Sequence, residues 1–162
     1  MSENEPISID MKVLLAAISA MVLAAPAFAE DSLVDRWNAD RATVFTANEI
    51  DLDELRWIAR PVIVFGESPF DPQYLQQVAL LLADTDELAE RDIILITDTD
   101  PVERSELRDR FRPRSFMLAL VGKDGQIKLR KPAPWDIREL TRTIDKMPLR
   151  QQEVRDRRVV SE

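Results

Sequence analysis

Two short runs constrain this chain more than anything else in it: Pro61-Val-Ile-Val-Phe-Gly66 and Asp92-Ile-Ile-Leu-Ile-Thr97, both continuous, apolar and rich in β-branched residues. A strand that is apolar on both faces must be covered on both, which is the condition of a parallel strand at the centre of a layered α/β domain. Between the runs, Asp71-Pro72 supplies a helix cap followed by a residue whose φ is already helical, and Leu75, Val78, Ala79 and Leu82 recur at helical spacing. The spacing predicts a βαβ unit. Its helix is expected to break near Asp84-Thr85-Asp86 and resume through Leu88.

After the second run, Asp100-Pro101 repeats the start signal and Glu103 stands where a capping box would place it, so a helix over Pro101 to Phe111 is expected, with Leu107 and Phe111 on its apolar face. Ser115 to Val121 and Gln126 to Arg130 read as strands, and the Asp-Gly step in Lys123-Asp124-Gly125 makes them an antiparallel hairpin. Ile137, Leu140, Ile144 and Met147 form the stripe of a last packed helix that Pro148 closes. Earlier in the chain, Thr43 to Thr46 reads as an edge strand and Asp51 to Ile58 as a short helix carrying Leu52, Leu55 and Ile58. Trp37, Trp57 and Trp135 fall at element boundaries and are expected to close the ends of the core.

The architecture expected is α/β: a three-layer sandwich with a central mixed sheet, two parallel strands followed by an antiparallel hairpin, and helices on both faces. This order of elements is similar to thioredoxin-like domains. More narrowly, Arg56-Trp57 ahead of Arg60-Pro61-Val-Ile-Val-Phe65, then Glu90-Arg91-Asp92-Ile-Ile-Leu-Ile96, Gly122-Lys123-Asp124-Gly125 and Asp145-Lys146-Met147-Pro148-Leu149-Arg150-Gln151-Gln152-Glu153 resemble a bacterial family known only as domain of unknown function 4174. The resemblance implies a thioredoxin-like fold in an exported protein and brings no activity with it.

The ends of the chain speak to targeting. Lys12 precedes the apolar stretch Val13 to Ala25, and Ala27-Phe28-Ala29 is a small-residue cleavage site, so residues 1–29 read as a secretory signal with Met11 as its start and cleavage after Ala29. Thirteen residues fall short of the roughly 20 that a membrane-spanning helix needs, so no stable anchor is expected after cleavage. Residues 30–150 form the expected domain and 151–162 a charged, frayed helical tail. The product is expected to be periplasmic or secreted. A net charge of −8 disfavours nucleic acid and anionic lipid as partners.

The chain has no Cys and no His. Thiolate redox chemistry at Gly66-Glu67-Ser68-Pro69-Phe70-Asp71, where a redox thioredoxin carries its cysteines, is therefore impossible, and Ser-His-Asp, Cys-His and zinc sites fall with it. Pro113 lies two or three residues early for the proline that such folds place before the hairpin. Only three glycines are present, too few for a phosphate-cradling loop, and no cofactor is expected. Ser68 lacks the Ser-x-x-Lys spacing of a lysine-activated nucleophile.

Three constellations remain, each with a plain reading beside a functional one. Asp98, Asp100 and Glu103 follow the second parallel strand and could hold Mg²⁺ or Ca²⁺; the plain reading makes Asp100 a cap, Glu103 a complement to the helix dipole and Asp98 a turn former. Arg108, Arg110, Arg112 and Arg114 could grip an anion or an acidic partner, or simply stabilise a helix end. Glu67, Ser68, Phe70 and Tyr74 offer a contact patch for a protein segment unless Phe70 and Tyr74 pack the helix entry. The expectation is a redox-inactive, noncatalytic interaction module whose partner is another periplasmic protein. The alternative is a metal-assisted hydrolase built on Asp98, Asp100 and Glu103.

Overall fold

The computed structural model describes residues 32–161 of the chain, so the expected signal segment 1–29 lies outside the described residues. The order of elements is α1 (Leu33–Ala39), β1 (Val44–Thr46), a 3₁₀ turn (Ala47–Glu49), β2 (Arg60–Phe65), α2 (Pro72–Leu82), α3 (Thr85–Glu90), β3 (Ile93–Asp98), α4 (Glu106–Phe111), β4 (Met117–Val121), β5 (Ile127–Lys131), α5 (Ile137–Asp145) and α6 (Pro148–Ser161). The five strands lie in the order β1-β3-β2-β4-β5. β3 is parallel to both β1 and β2, and β4 is antiparallel to β2 and β5. This is the mixed sheet the sequence predicts, in a thioredoxin-like arrangement.

Alternation along the strands sorts the core into two layers. Ile63 and Phe65 of β2, with Ile94 and Ile96 of β3, face Trp37, Leu55, Leu107 and Phe111 on one side; Val62, Val64, Ile93 and Leu95 face Leu81, Leu88, Leu140 and Ile144 on the other. Every residue of β2 and β3 is buried, which is why Pro61 to Phe65 and Ile93 to Ile96 are apolar without a break; the polar residues Arg60, Thr97 and Asp98 stand only at the strand ends.

Caps fix where helices begin. The Asp71 carboxylate accepts from the backbone N–H of Gln73 and Tyr74, Pro72 follows as the first helical residue, and Asp84 caps α3 after the expected interruption. The buried face of α2 differs from the expected stripe: Leu75 and Leu82 are exposed, whereas Gln77 and Leu81 are buried. The reason is a polar anchor. Gln77 donates to the Trp135 carbonyl at 3.1 Å and accepts from the Trp135 N–H at 2.6 Å, which turns the helix toward a residue that apolar periodicity does not register.

Further expectations are corrected. Residues 52–58 form successive turns in place of a helix; Leu52 and Leu55 are buried but Ile58 is not. Trp57 sits at φ 65°, its N–H bonded to the Lys123 carbonyl at 2.7 Å, and that left-handed backbone points the ring outward to 64% exposure. Trp37 is buried as expected, and Trp135 packs against the core partly buried. Pro148 closes one helix and opens another, because a proline is well tolerated in a first turn. That helix, α6, runs unbroken through the expected start of the tail at 151. Among the described residues no helix is long and apolar enough to cross a membrane, and no peptide bond is cis.

Candidate functional site

Register places five chain segments at one edge of the sheet. Phe65 at the end of β2 lies beside Asp98 at the end of β3 and Met117 at the start of β4, Thr46 at the end of β1 lies beside Thr97, and Leu118 lies beside Lys131 at the end of β5. The loop 66–71, the turn 99–105, the segment 112–116 and the exit of β5 therefore share this edge, the position where open α/β sheets carry their ligands.

Asp98 is the centre of that edge and is buried. Its Oδ1 accepts from Arg108 Nε at 2.7 Å and its Oδ2 from the Ser105 hydroxyl at 2.5 Å, while Arg108 Nη2 donates to the carbonyls of Gly66 at 2.8 Å and Asp98 at 3.1 Å. The expected turn former is thus one half of a buried ion pair. Arg108, expected either to grip an anion or to stabilise a helix end in solvent, is spent tying the loop after β2 to the turn after β3. The same cluster corrects the start of α4. Ser105 caps it, accepting from the Arg108 N–H, and because Asp98 holds the Ser105 side chain the helix begins at Glu106 instead of Pro101.

Asp100 caps no helix, since α4 begins at Glu106, but it holds the preceding turn, accepting from the N–H of Val102 at 2.9 Å and of Glu103 at 3.1 Å. Those two N–H groups, Glu103's foremost, hold its carboxyl below the ordinary aspartate range. Asp98, Asp100 and Glu103 do line one cleft of about 210 Å³ with Thr46 and Thr97. Their carboxylates are nonetheless not a joint ligand set: Asp98 is committed to Arg108 and Ser105, and Asp100 to the backbone. Among the described residues no group of three or more Asp, Glu, His or Cys side chains is placed to hold a metal ion.

The loop after β2 behaves differently. The Ser68 hydroxyl accepts from the Phe70 N–H at 3.2 Å, the Ser68 carbonyl from the Asp71 N–H at 3.1 Å, and Asp71 Oδ2 from the Glu67 N–H at 3.3 Å. Serine and aspartate thus hold their own backbone, the ordinary way such residues order a tight turn. Tyr74 packs against the core, as the plain reading expects, but Phe70 does not: it is 84% exposed. On the neighbouring turn Val102 is 89% exposed, so two apolar side chains stand in water on loops joined by Arg108.

Sequence reasoning missed a second cluster at the opposite edge. Arg60, 1% exposed, donates to both Glu153 oxygens at 3.0 Å and to the Arg91 carbonyl at 2.9 Å; Lys123 pairs with Asp92 at 2.8 Å and Glu153 at 3.0 Å. Arg91 pairs with Asp145 and Glu87, and Arg150, 2% exposed, with Glu90. The segments quoted above for their family resemblance meet here. Because every one of these cations is paired, with Glu153 and Asp145 each shared between cations, the network's work is to fix α6 and α5 to the entries of β2 and β3. The available signal was a charged residue, Arg60 or Asp92, at the entry of each apolar strand.

A family model described as domain of unknown function (DUF4174) matches residues 51–153. No curated protein matches the chain.

Proposed function

Since the chain belongs to the domain of unknown function 4174 family, which carries no activity to transfer, we propose from its geometry that it is an exported, redox-inactive interaction module that binds another protein of the periplasm through the carboxyl edge of its sheet. The observation that carries this reading is Phe70: a large apolar ring 84% exposed on a loop whose backbone is already held by Ser68 and Asp71. Burying such a ring contributes about 1.5–3 kcal/mol, and a pre-ordered loop gives up little entropy when it is covered. Val102 is a second exposed apolar side chain on the adjoining turn, and the Arg108 clamp ties the two loops together. The absence of Cys and His supports a binding role over a catalytic one.

The test pairs stability with recovery of a partner. Phe70→Ser with Val102→Ser should leave the urea midpoint within experimental error, because neither side chain is packed, while abolishing recovery of the partner that copurifies with the unaltered protein from its periplasm. Equal recovery by the doubly substituted protein would remove this edge as the contact surface.

A further inference from the structure

We propose that the pocket between the segment after α4 and the exit of β5 binds an acidic peptide segment that presents one apolar or aromatic side chain between carboxylates. The inference rests on the interaction-module reading and names the chemistry of the partner. The pocket has a volume of about 370 Å³, with Phe116 and Met117 in its lining beside Arg112, Arg114, Arg130 and Lys131. No carboxylate lines it. A volume of this size, at the low end for ligand pockets, has room for one large apolar side chain.

The charge pattern is what singles this pocket out. In a protein of net charge −8, ten described cations are spent on carboxylates: Arg36, Arg41, Arg60, Arg91, Arg108, Lys123, Lys128, Arg142, Arg150 and Arg157 all form ion pairs. Arg112, Arg114, Arg130 and Lys131 form none among the described residues. Arg130 instead lies over the Phe111 ring at 5.7 Å and Lys131 over the Trp135 ring at 4.4 Å, contacts that orient a cation without neutralising it. The αL backbone of Arg112, φ 51°, ends α4 and turns the chain toward β4 at this pocket. Four unneutralised cations around one apolar opening call for several carboxylates spaced along a chain, and a guanidinium takes a carboxylate bidentately where an ammonium does not. Register puts the pocket on the same edge as the Phe70 loop, since Met117 pairs with Phe65 and Lys131 with Leu118.

The experiment is fluorescence anisotropy on the full domain with a labelled peptide of one phenylalanine flanked on each side by two glutamates. The same peptide with glutamines for glutamates is the neutral comparison. Binding of the glutamate peptide, at least about tenfold tighter than the glutamine peptide and weakening as salt rises, is expected. Arg114→Glu with Arg130→Glu should lower the affinity at least about tenfold further, and Arg114→Gln with Arg130→Gln should fall between. All three proteins should remain folded with closely similar melting temperatures, because these side chains hold no ion pair in the fold and Arg130 loses only its contact over the Phe111 ring. Equal affinity for both peptides, or unchanged binding after charge reversal, would overturn the proposal. The interaction-module reading fails separately: a partner still captured at the Phe70 loop by the charge-reversed protein leaves that reading standing and removes only the acidic segment.

Discussion

Arg108 Nε lies 2.7 Å from Asp98 Oδ1, and the same guanidinium reaches the Gly66 carbonyl, so one side chain joins the ends of the two central strands to the helix that follows them. Both partners are nearly excluded from solvent. Removing one half of such a pair leaves an uncompensated buried charge, which costs about 3–5 kcal/mol. Arg108→Ala should lower the unfolding free energy measured in urea by an amount in that range, through a lower midpoint with an unchanged slope. Arg108→Lys should recover little, because an ammonium cannot meet the Asp98 carboxylate and two carbonyls with the fork that Arg provides. A midpoint unaltered by Arg108→Ala would show that the loops are held by other means.

The polar anchor of α2 makes a prediction against hydrophobic intuition. Gln77→Leu places a larger apolar group in a buried position yet strands the Trp135 N–H and carbonyl, each of which costs about 1–3 kcal/mol when left unsatisfied. The variant should be less stable in chemical denaturation, and hydrogen exchange at the Trp135 amide should quicken. A stabilised variant would mean that water takes over both bonds.

Acid sensitivity should trace to the network under α5 and α6. Partial burial pushes Asp145 up, but the hydrogen bond and charge of Arg91, with Arg150 adding to them, outweigh it and hold the carboxyl below its ordinary range. A carboxyl lowered in the folded state contributes stability that is complete above the unfolded value of about 3.9 and is lost as pH falls through the lower folded value. Asp145→Asn should therefore be less stable than the unaltered protein at neutral pH. The two should converge as the pH is taken below about 3.9. Parallel stability profiles across that window would contradict the assignment.

At the hairpin, Gly125 takes φ 77°, and a Cβ there would meet Arg56 Nε at 3.3 Å. Gly125→Ala should cost about 1–2 kcal/mol from the left-handed backbone alone. Thermal denaturation reads this directly, and an unchanged melting temperature would refute it.

Much of the fold was legible because strand burial writes itself into composition: β2 and β3 are covered on both faces, and no polar residue interrupts their centres. The cap at Asp71 was legible too, since a short acidic side chain before a helical stretch has few other uses, whereas the cap read at Asp100 falls instead on Ser105. What sequence could not give was anything that depends on a partner distant in the chain. Gln77 reads as a solvent residue until Trp135 is beside it, 58 positions away, and Ser105 reads as one serine among several until Asp98 holds it. The candidate site divides in the same way. Phe70 was nameable from its loop, but its exposure, and the empty ion-pairing roster of Arg114 and Arg130, required the whole sheet to be assembled.

The measurement that bears most directly on the central claim is photo-crosslinking in living cells from a reactive residue at position 70, with position 142 on α5 as the comparison, since Arg142 is also exposed. The account predicts one protein captured from position 70 and absent from position 142. Capture of the same proteins from both positions, or of none from position 70, would contradict it.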